Sequence, residues 1–382
     1  MRRIYLDHNA TTPVRGEVVD AMVRVLRDVP GNPSSVHAEG AAARAELDRA
    51  RARVAALLEV APAEVVFTAG ATEANNTALA AVAARPDGRR HVVATAVEHP
   101  SVDAALGALE ARGCPVTRVR VGRSGRVAAS HVAAAIRDDT ALVTAIWANN
   151  ETGVLQPIEE IAAIARARGA WMHSDATQAV GKHAIAPGRL PIDLLSLSAH
   201  KFGGPKGVGC LVVRGGIALP PFLRGGPQER GRRGGTENLA GIAGLGAACE
   251  LARRELTERV ARYAQLRDRL WDGIAAKVPG VSRNGDPDHV LANTLNLSFR
   301  DTPGELLLQA LDVEGIAVSA GAACASGSVE PSHVLVAMGF SKAEARGTLR
   351  FSVGHGTDEA QIDAVLAMLP DLVSRARGAS EA

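Results

Sequence analysis

Apolar positions along this chain fall into short β-branched runs separated by longer alanine-rich stretches. The runs are EVVFTAG (64–70), HVVATAVE (91–98), VTRVRV (116–121), ALVTAIWA (141–148), AWMHSDA (170–176), DLLSLSAH (193–200) and GVGCLVVR (207–214). Stretches of helix length at 72–84, 101–112, 130–137 and 157–168 lie between most of them. That alternation predicts an α/β fold, a largely parallel sheet joined by crossovers and covered by helices. A long helical stretch from about 237 to 277 then changes the texture. Beyond it NTLNLSF (293–299), a helix near 303–314 and TLRFSVG (348–354) predict a second, smaller α/β unit. The division is placed near residue 256, with 16–256 as a large domain and 1–15 plus 257–382 as a small one. The Gly/Pro/Arg-rich stretch 215–235 reads as a loop inside the large domain.

Composition narrows the classes. A chain of 382 residues with 47% hydrophobic residues fits about two domains with a sizeable core. Its net charge of +2, with both signs mixed, gives no footprint for nucleic acid or a membrane surface. No stretch approaches the ~20 apolar residues of a spanning helix, and the start, MRRIYLDHNATTPV, lacks a signal-peptide core. Four scattered cysteines, Cys114, Cys210, Cys249 and Cys324, form neither a metal pattern nor a disulfide scaffold, which points to a reducing cytoplasm.

Ligands of open α/β sheets collect beyond the carboxyl ends of the strands, and three such ends carry chemistry. In FTAGATEANN (67–76) a strand runs into Gly70, and Thr72 and Glu73 can open a helix whose free amides suit phosphate. An ordinary helix cap is the alternative. In WMHSDATQAVGK (171–182) Asp175 ends a strand and can bind a metal, neutralise a cation or cap a helix. His173 and Asp175 lack the third ligand a metal site needs. In SLSAHKFGGPKGVG (196–209) Lys201 leaves a buried-looking strand just before two glycines, flanked by Ser198 and His200, although a lone lysine is usually a surface residue. A phosphate cradle, an acid for a pyridine nitrogen and an amine for a Schiff base are together what pyridoxal 5'-phosphate requires.

The motifs YLDHNATTPV, GNPSSVH, GATEANN, EHPSV, NNETG, HSDATQAVGK, SAHKFGGPKGVG, GGPQERGRRGGTEN, SAGAACASGSVEPSHVL and LRFSVG run in order from residue 5 to 354. With them the chain resembles the cysteine desulfurases of the NifS/IscS type, within the class V aminotransferases. The resemblance implies the fold type I architecture of pyridoxal-phosphate enzymes, with a mainly parallel seven-stranded sheet in the large domain. It implies a Schiff base on Lys201, which also moves protons. Asp175 would pair with the pyridine nitrogen, and His99 would stack on the ring and act in acid–base steps. Asn150 and Gln178 would reach the ring's phenolic oxygen. Ala71, Thr72, Ser198 and His200 would hold the phosphate, with Thr236 added from the second subunit of a homodimer. Arg350 would clamp the substrate carboxylate, with Asn150 beside it, and Asn32 would line the entrance.

The same resemblance implies that L-cysteine loses its sulfur to a Cys324 persulfide and leaves as L-alanine. Cys324 sits in SAGAACASGS, a run of small residues in a loop at about 319–330, whose composition suits a thiol that both attacks and delivers. The other three cysteines read as small buried hydrophobes. The implied acceptor is a sulfur carrier, commonly an iron–sulfur scaffold, with tRNA thiolation or cofactor sulfuration as alternatives. Cys324 could then ligate a nascent cluster in passing, with no intrinsic metal. Two departures stand out: His8 where many relatives have asparagine, and GAACASGS where relatives often read GSACTSGS. A selenocysteine lyase or an ordinary aminotransferase would share Lys201 and Asp175, but an aminotransferase has no use for the cysteine. A silent docking scaffold would need none of the three.

Overall fold

The structure, a computed structural model, describes residues 3–215, 217, 219–320 and 331–381. Its strands are β1 (Ile4–Tyr5), β2 (Val65–Thr68), β3 (His91–Thr95), β4 (Val116–Val119), β5 (Thr140–Thr144), β6 (Trp171–Asp175), β7 (Leu194–Ser198), β8 (Gly209–Val213), β9 (Val281–Arg283), β10 (Thr294–Phe299), β11 (Ile316–Ala317), β12 (Ser319–Ala320) and β13 (Thr348–Ser352). Seven of them form one sheet in the order β2-β8-β7-β6-β5-β3-β4. These are the seven apolar runs of the sequence.

Every residue of β2, β3, β5, β7 and β8 is buried. A sheet covered on both faces needs apolar side chains on both, so its strands read as continuous runs without alternation. Neighbours are parallel from β4 through β7, whereas β8 runs antiparallel to both β7 and β2. The link between β7 and β8 spans only 199–208. That is shorter than the dozen or so residues a parallel crossover needs, so the chain turns back. Gly209 permits the return, because a Cβ there would lie 2.4 Å from the Leu197 carbonyl oxygen and 2.9 Å from the Gly70 Cα.

A second sheet orders β12-β13-β10-β9, all antiparallel, and β1 pairs in parallel with β11. One unbroken helix, Leu239–Lys277, runs past both sheets. Its Ile242, Leu245, Ala248 and Ala252 join the core of the seven-stranded sheet. Its Tyr263, Leu266, Leu270 and Ile274 pack with Leu295, Leu297 and Phe351 of the second sheet. Residue 256 falls between these two sets, inside the helix. Val334, Leu335 and Met338 join the first core. Among the described residues no helix is long and apolar enough to cross a membrane.

Candidate active site

Beyond the carboxyl ends of the central strands lies a cavity of about 390 Å³. Ala71, Thr72, His99, Asn150, Asp175, Gln178, Ser198, His200 and Lys201, nine residues singled out from sequence, all line it, joined at its rim by Lys206. They come from five separate strand ends, so only the fold brings them together.

At one end the helix Ala71–Ala80 opens on Gly70 with no side-chain cap. Glu73 reaches back to the Ala69 amide (2.8 Å) and is held by Arg233 (2.9 Å). The amides of Ala71 and Thr72 therefore keep the helix's positive end facing the cavity. His200 closes this end, its Nδ1 3.1 Å from Thr11 Oγ1. Burial, with Lys201 and Lys206 adding to it, lowers its pKa to about 4, so it is a neutral hydrogen-bonding group at working pH.

Asp175 ends β6 at 3% exposure. Its Oδ1 accepts from the Thr177 amide (3.0 Å) and its Oδ2 from Asn75 Nδ2 (2.8 Å). The same Asn75 nitrogen reaches Ser101 Oγ (2.9 Å), and Ser101 Oγ lies 2.8 Å from His99 Nδ1. His99 also caps the helix Pro100–Glu110, accepting the Ser101 amide at Nδ1 (3.1 Å). An amide N–H can only donate, so Nδ1 is bare and the ring proton of the neutral imidazole sits on Nε2. Burial lowers the His99 pKa, with Asp175 working against it. His99 thus presents an N–H donor.

Lys201 rises from a tight turn after β7, where Gly203 takes a positive φ of 95° and a Cβ would meet Arg15 Cγ at 2.8 Å. The N-terminal segment forms its floor: Thr12 N donates to the His200 carbonyl (2.9 Å), and Gly203 N donates to Thr12 Oγ1 (2.7 Å). The Lys201 amine donates to the carbonyls of Asn9 (2.9 Å) and Ala10 (2.8 Å). Burial chiefly, and then Arg350, lower its pKa to about 8, while Asp175 and Asp7 pull upward. A lysine so placed is about half deprotonated at pH 8, where an ordinary lysine is almost fully protonated.

Arg350, in β13, is 6% exposed. It donates to the Asn150 carbonyl (2.8 Å) and Asp7 Oδ1 (2.6 Å), while its Nε is buried without a partner. Asn150 Oδ1 and Thr177 Oγ1 are likewise buried and unpartnered, on the cavity wall. Buried polar atoms are normally satisfied, so these mark where a ligand's polar groups belong. The pyridoxal phosphate expected from sequence fits this site. Free helix amides can meet an anion, a buried carboxylate a ring nitrogen, and the orphaned Arg350 Nε and Thr177 hydroxyl can donate to carboxylate or ring oxygens; the volume suits a small cofactor.

Thr236 and Asn32 are exposed and line no part of the cavity. The loop before Thr236 is nonetheless fixed: Glu229 and Arg230 take left-handed φ values of 47° and 58°. Arg51 holds Glu229 through two bonds (2.9 and 2.7 Å) at a nearly solvent-free ion pair. Cys114, Cys210 and Cys249 are buried, and burial pushes the Cys210 and Cys249 thiols upward, which suits inert core groups. Cys324 lies outside the described residues, but the flanks of its segment do not. Ser319 pairs with Arg350, and on the other side His333 Nε2 donates to the Glu98 carbonyl (2.9 Å), next to His99.

Glu98 itself is buried, accepting from Ile146 N (2.9 Å) and Thr95 Oγ1 on one oxygen while the other has no partner. Burial raises its pKa to about 7. A carboxyl whose folded pKa lies above its unfolded value contributes stability below the unfolded pKa that is lost as pH rises through 7. Thermal melting of Glu98→Gln should match the unsubstituted protein near pH 4.5 and exceed it by a few degrees at pH 8. A substituted protein less stable at both pH values would contradict this.

The sequence pattern of the aminotransferase class-V family matches residues 4–365. The chain belongs to that family. A cysteine desulfurase from Enterobacter agglomerans is 46% identical over 379 residues, 99% of this chain and 94% of its own length. Cysteine desulfurase IscS of Methanosarcina thermophila is 43% identical over 99% of this chain and 94% of its own. Among solved structures, a NifS-like protein superposes with a TM-score of 0.92 at 36% identity, covering 98% of this chain and all of that one. A structure described as SspA in complex with cysteine gives 0.83 at 37% identity, covering 92% and 99%. The fold of this class V member is therefore that of NifS-like proteins, and the family implies pyridoxal phosphate.

Five residues that act on this class V site escaped the reading of the sequence: Asp7, Asn9, Asn75, Ser101 and Lys182. Asp7 and Asn9 stand in YLDHNATTPV, Asn75 in GATEANN, Ser101 in EHPSV and Lys182 in HSDATQAVGK. The motifs marked the places, but the contacts reach across as many as 343 positions, from Arg350 to Asp7.

Proposed function

We propose that the protein is a pyridoxal-phosphate-dependent cysteine desulfurase. It takes the sulfur from L-cysteine, releases L-alanine, and carries the sulfur as a persulfide on Cys324 to an acceptor such as an iron–sulfur scaffold. The convergence of Lys201, Asp175 and His99 on one cavity carries the reading, and the full-length likeness to cysteine desulfurases narrows it to this substrate.

Lys201 would hold the cofactor, Asp175 its ring nitrogen, and Ala71, Thr72, Ser198 and His200 its phosphate. When bound, pyridoxal phosphate supplies an electron sink that makes the α-hydrogen of a joined amino acid acidic. Arg350 binds the substrate carboxylate, using the guanidinium edge whose Nε is unpartnered, and Asn150 steadies the carboxylate beside it. The freed Lys201 amine, about half neutral at pH 8, takes the α-proton and returns one to the product. The Cys324 thiolate attacks the substrate sulfur: the S–S bond forms as the Cβ–Sγ bond breaks, and the electron pair left on carbon is protonated to give alanine. His99, holding its proton on Nε2, is placed to donate in these steps.

Cys324 stands four residues from Ala320, a tether of at most about 14 Å. Its flanks sit beside Arg350 and His99, so the thiol can be brought to the substrate from either side. Exposed Thr236 and a groove lined by the apolar Val14, Val19 and Leu26 favour a homodimer, in which the partner's copy of this chain would cover them. The two cores meeting along Leu239–Lys277 favour the two-domain division near 256. A cytoplasmic setting fits the unpaired thiols.

The direct test is product analysis. Purified protein with L-cysteine and a reductant should yield sulfide and alanine in equal amounts. Pyruvate formation, or exchange of amino groups without sulfide, would overturn the reading. A second expectation follows from the Lys201 pKa. The rate at which the apo-protein regains its visible cofactor band should rise with pH through about 8 and level off, since only the neutral amine is nucleophilic. A rate still climbing towards the ordinary lysine pKa, or one independent of pH, would contradict it.

A further inference from the structure

A second amine, used by no step above, is buried behind the cavity wall. Lys182 is 4% exposed, and among the described residues no carboxylate pairs with it. Its Nζ donates to Gln178 Oε1 (2.5 Å) and to Asn9 Oδ1 (3.2 Å). A lysine nitrogen turned to an amide selects the amide's oxygen, so Lys182 fixes which end of Gln178 is which. The other end, Nε2, donates one hydrogen to the Asn9 carbonyl (2.9 Å), the carbonyl that also holds the Lys201 amine. One hydrogen of Gln178 is then left to donate, and Gln178 lines the cavity. Lysine burial without an anion is costly, and a chain that needed only packing here would be served by methionine.

We propose that Lys182 is a positioning residue: it locks the Gln178 amide so that an N–H is offered to a deprotonated ring oxygen in the cavity, and through Asn9 it ties that donor to the Lys201 amine. The inference rests on the reading of the cavity as the pyridoxal phosphate site. Burial, and then the like charges of Lys201 and Arg350, push the Lys182 pKa well down, but an amine donates to Gln178 Oε1 whether charged or neutral. Around it Asp175 and Asp7 oppose Lys201 and Arg350, and His8 and His200, lowered to about 4, are neutral. An oxygen given a hydrogen-bond donor holds its proton less tightly, so the lock keeps the bound ring oxygen in its deprotonated form.

The test titrates the visible absorption band of the purified holoenzyme against pH in four proteins: unsubstituted, Lys182→Met, Gln178→Leu and the double substitution. Lys182→Met and Gln178→Leu should each raise the midpoint by about half a pH unit or more, and the double should shift it no further than the larger single. Lys182→Gln, whose amide can still donate to Gln178 Oε1, should recover most of the unsubstituted midpoint. An unchanged midpoint in Lys182→Met or in Gln178→Leu, or shifts that add, overturns the proposal. If Lys182→Met does not fold, Gln178→Leu and Lys182→Gln still decide it. A protein that retains no pyridoxal phosphate in its unsubstituted form refutes the cofactor reading instead.

Discussion

Lys201→Ala eliminates turnover of L-cysteine and removes the covalent attachment of pyridoxal phosphate, while the chain remains folded. The proton transfers assigned to this amine account for about 10²–10⁴-fold by themselves, and the lost covalent link adds to that. The fold survives because the amine's native partners are two backbone carbonyls, those of Asn9 and Ala10, at a cavity wall where water can replace it. Sulfide release, together with the mass of the denatured protein after borohydride reduction, reads both effects. Full activity in Lys201→Ala would remove the foundation of the mechanism. Loss of activity with the cofactor still covalently held would move the attachment to another amine, such as Lys206, which also lines the cavity.

Cys324→Ala has a comparably large effect on sulfide release and none on cofactor retention. Among the described residues the cradle is built from strand ends, with the N-terminal segment supporting the Lys201 turn. The three remaining thiols cannot substitute. All are buried, and burial makes the Cys210 and Cys249 thiols harder to ionise, so they supply little thiolate. Sulfide measured under reductant, alongside the visible spectrum, separates the two roles. Unchanged sulfide output in Cys324→Ala would assign the nucleophile elsewhere.

Much of this was legible in the sequence, for a physical reason. A sheet covered on both faces writes its strands as uninterrupted apolar runs, so all seven strands of the large sheet stood out. Chemistry at their carboxyl ends then followed from topology. The reversed direction of β8 was less visible, because it depends on the short link 199–208 and on Gly209 permitting close approach. The helix cap at His99 could be read from the proline that follows it, a residue favoured at the first helical position. The resulting tautomer could not, since it depends on the Ser101 amide in three dimensions.

What stayed hidden was tertiary. Asn9 precedes Lys201 by 192 positions, yet its carbonyl carries the amine. Lys182 resembles a solvated lysine until the fold buries it against Gln178. Arg350 was expected to hold a substrate carboxylate, and the structure adds that Asp7 and the Asn150 carbonyl already orient it. Thr236 was expected to act from the second subunit of a homodimer, which a single chain does not contain.

The central claim is that the amine of Lys201 and the thiol of Cys324 act in turn on the same bound amino acid. Peptide mass mapping after a brief exposure to L-cysteine without reductant tests it most directly. The account predicts the added mass of one sulfur atom on the peptide carrying Cys324, and its absence there in Lys201→Ala. Sulfur found instead on Cys114, Cys210 or Cys249, or found on Cys324 in undiminished amount when Lys201 is alanine, would contradict it.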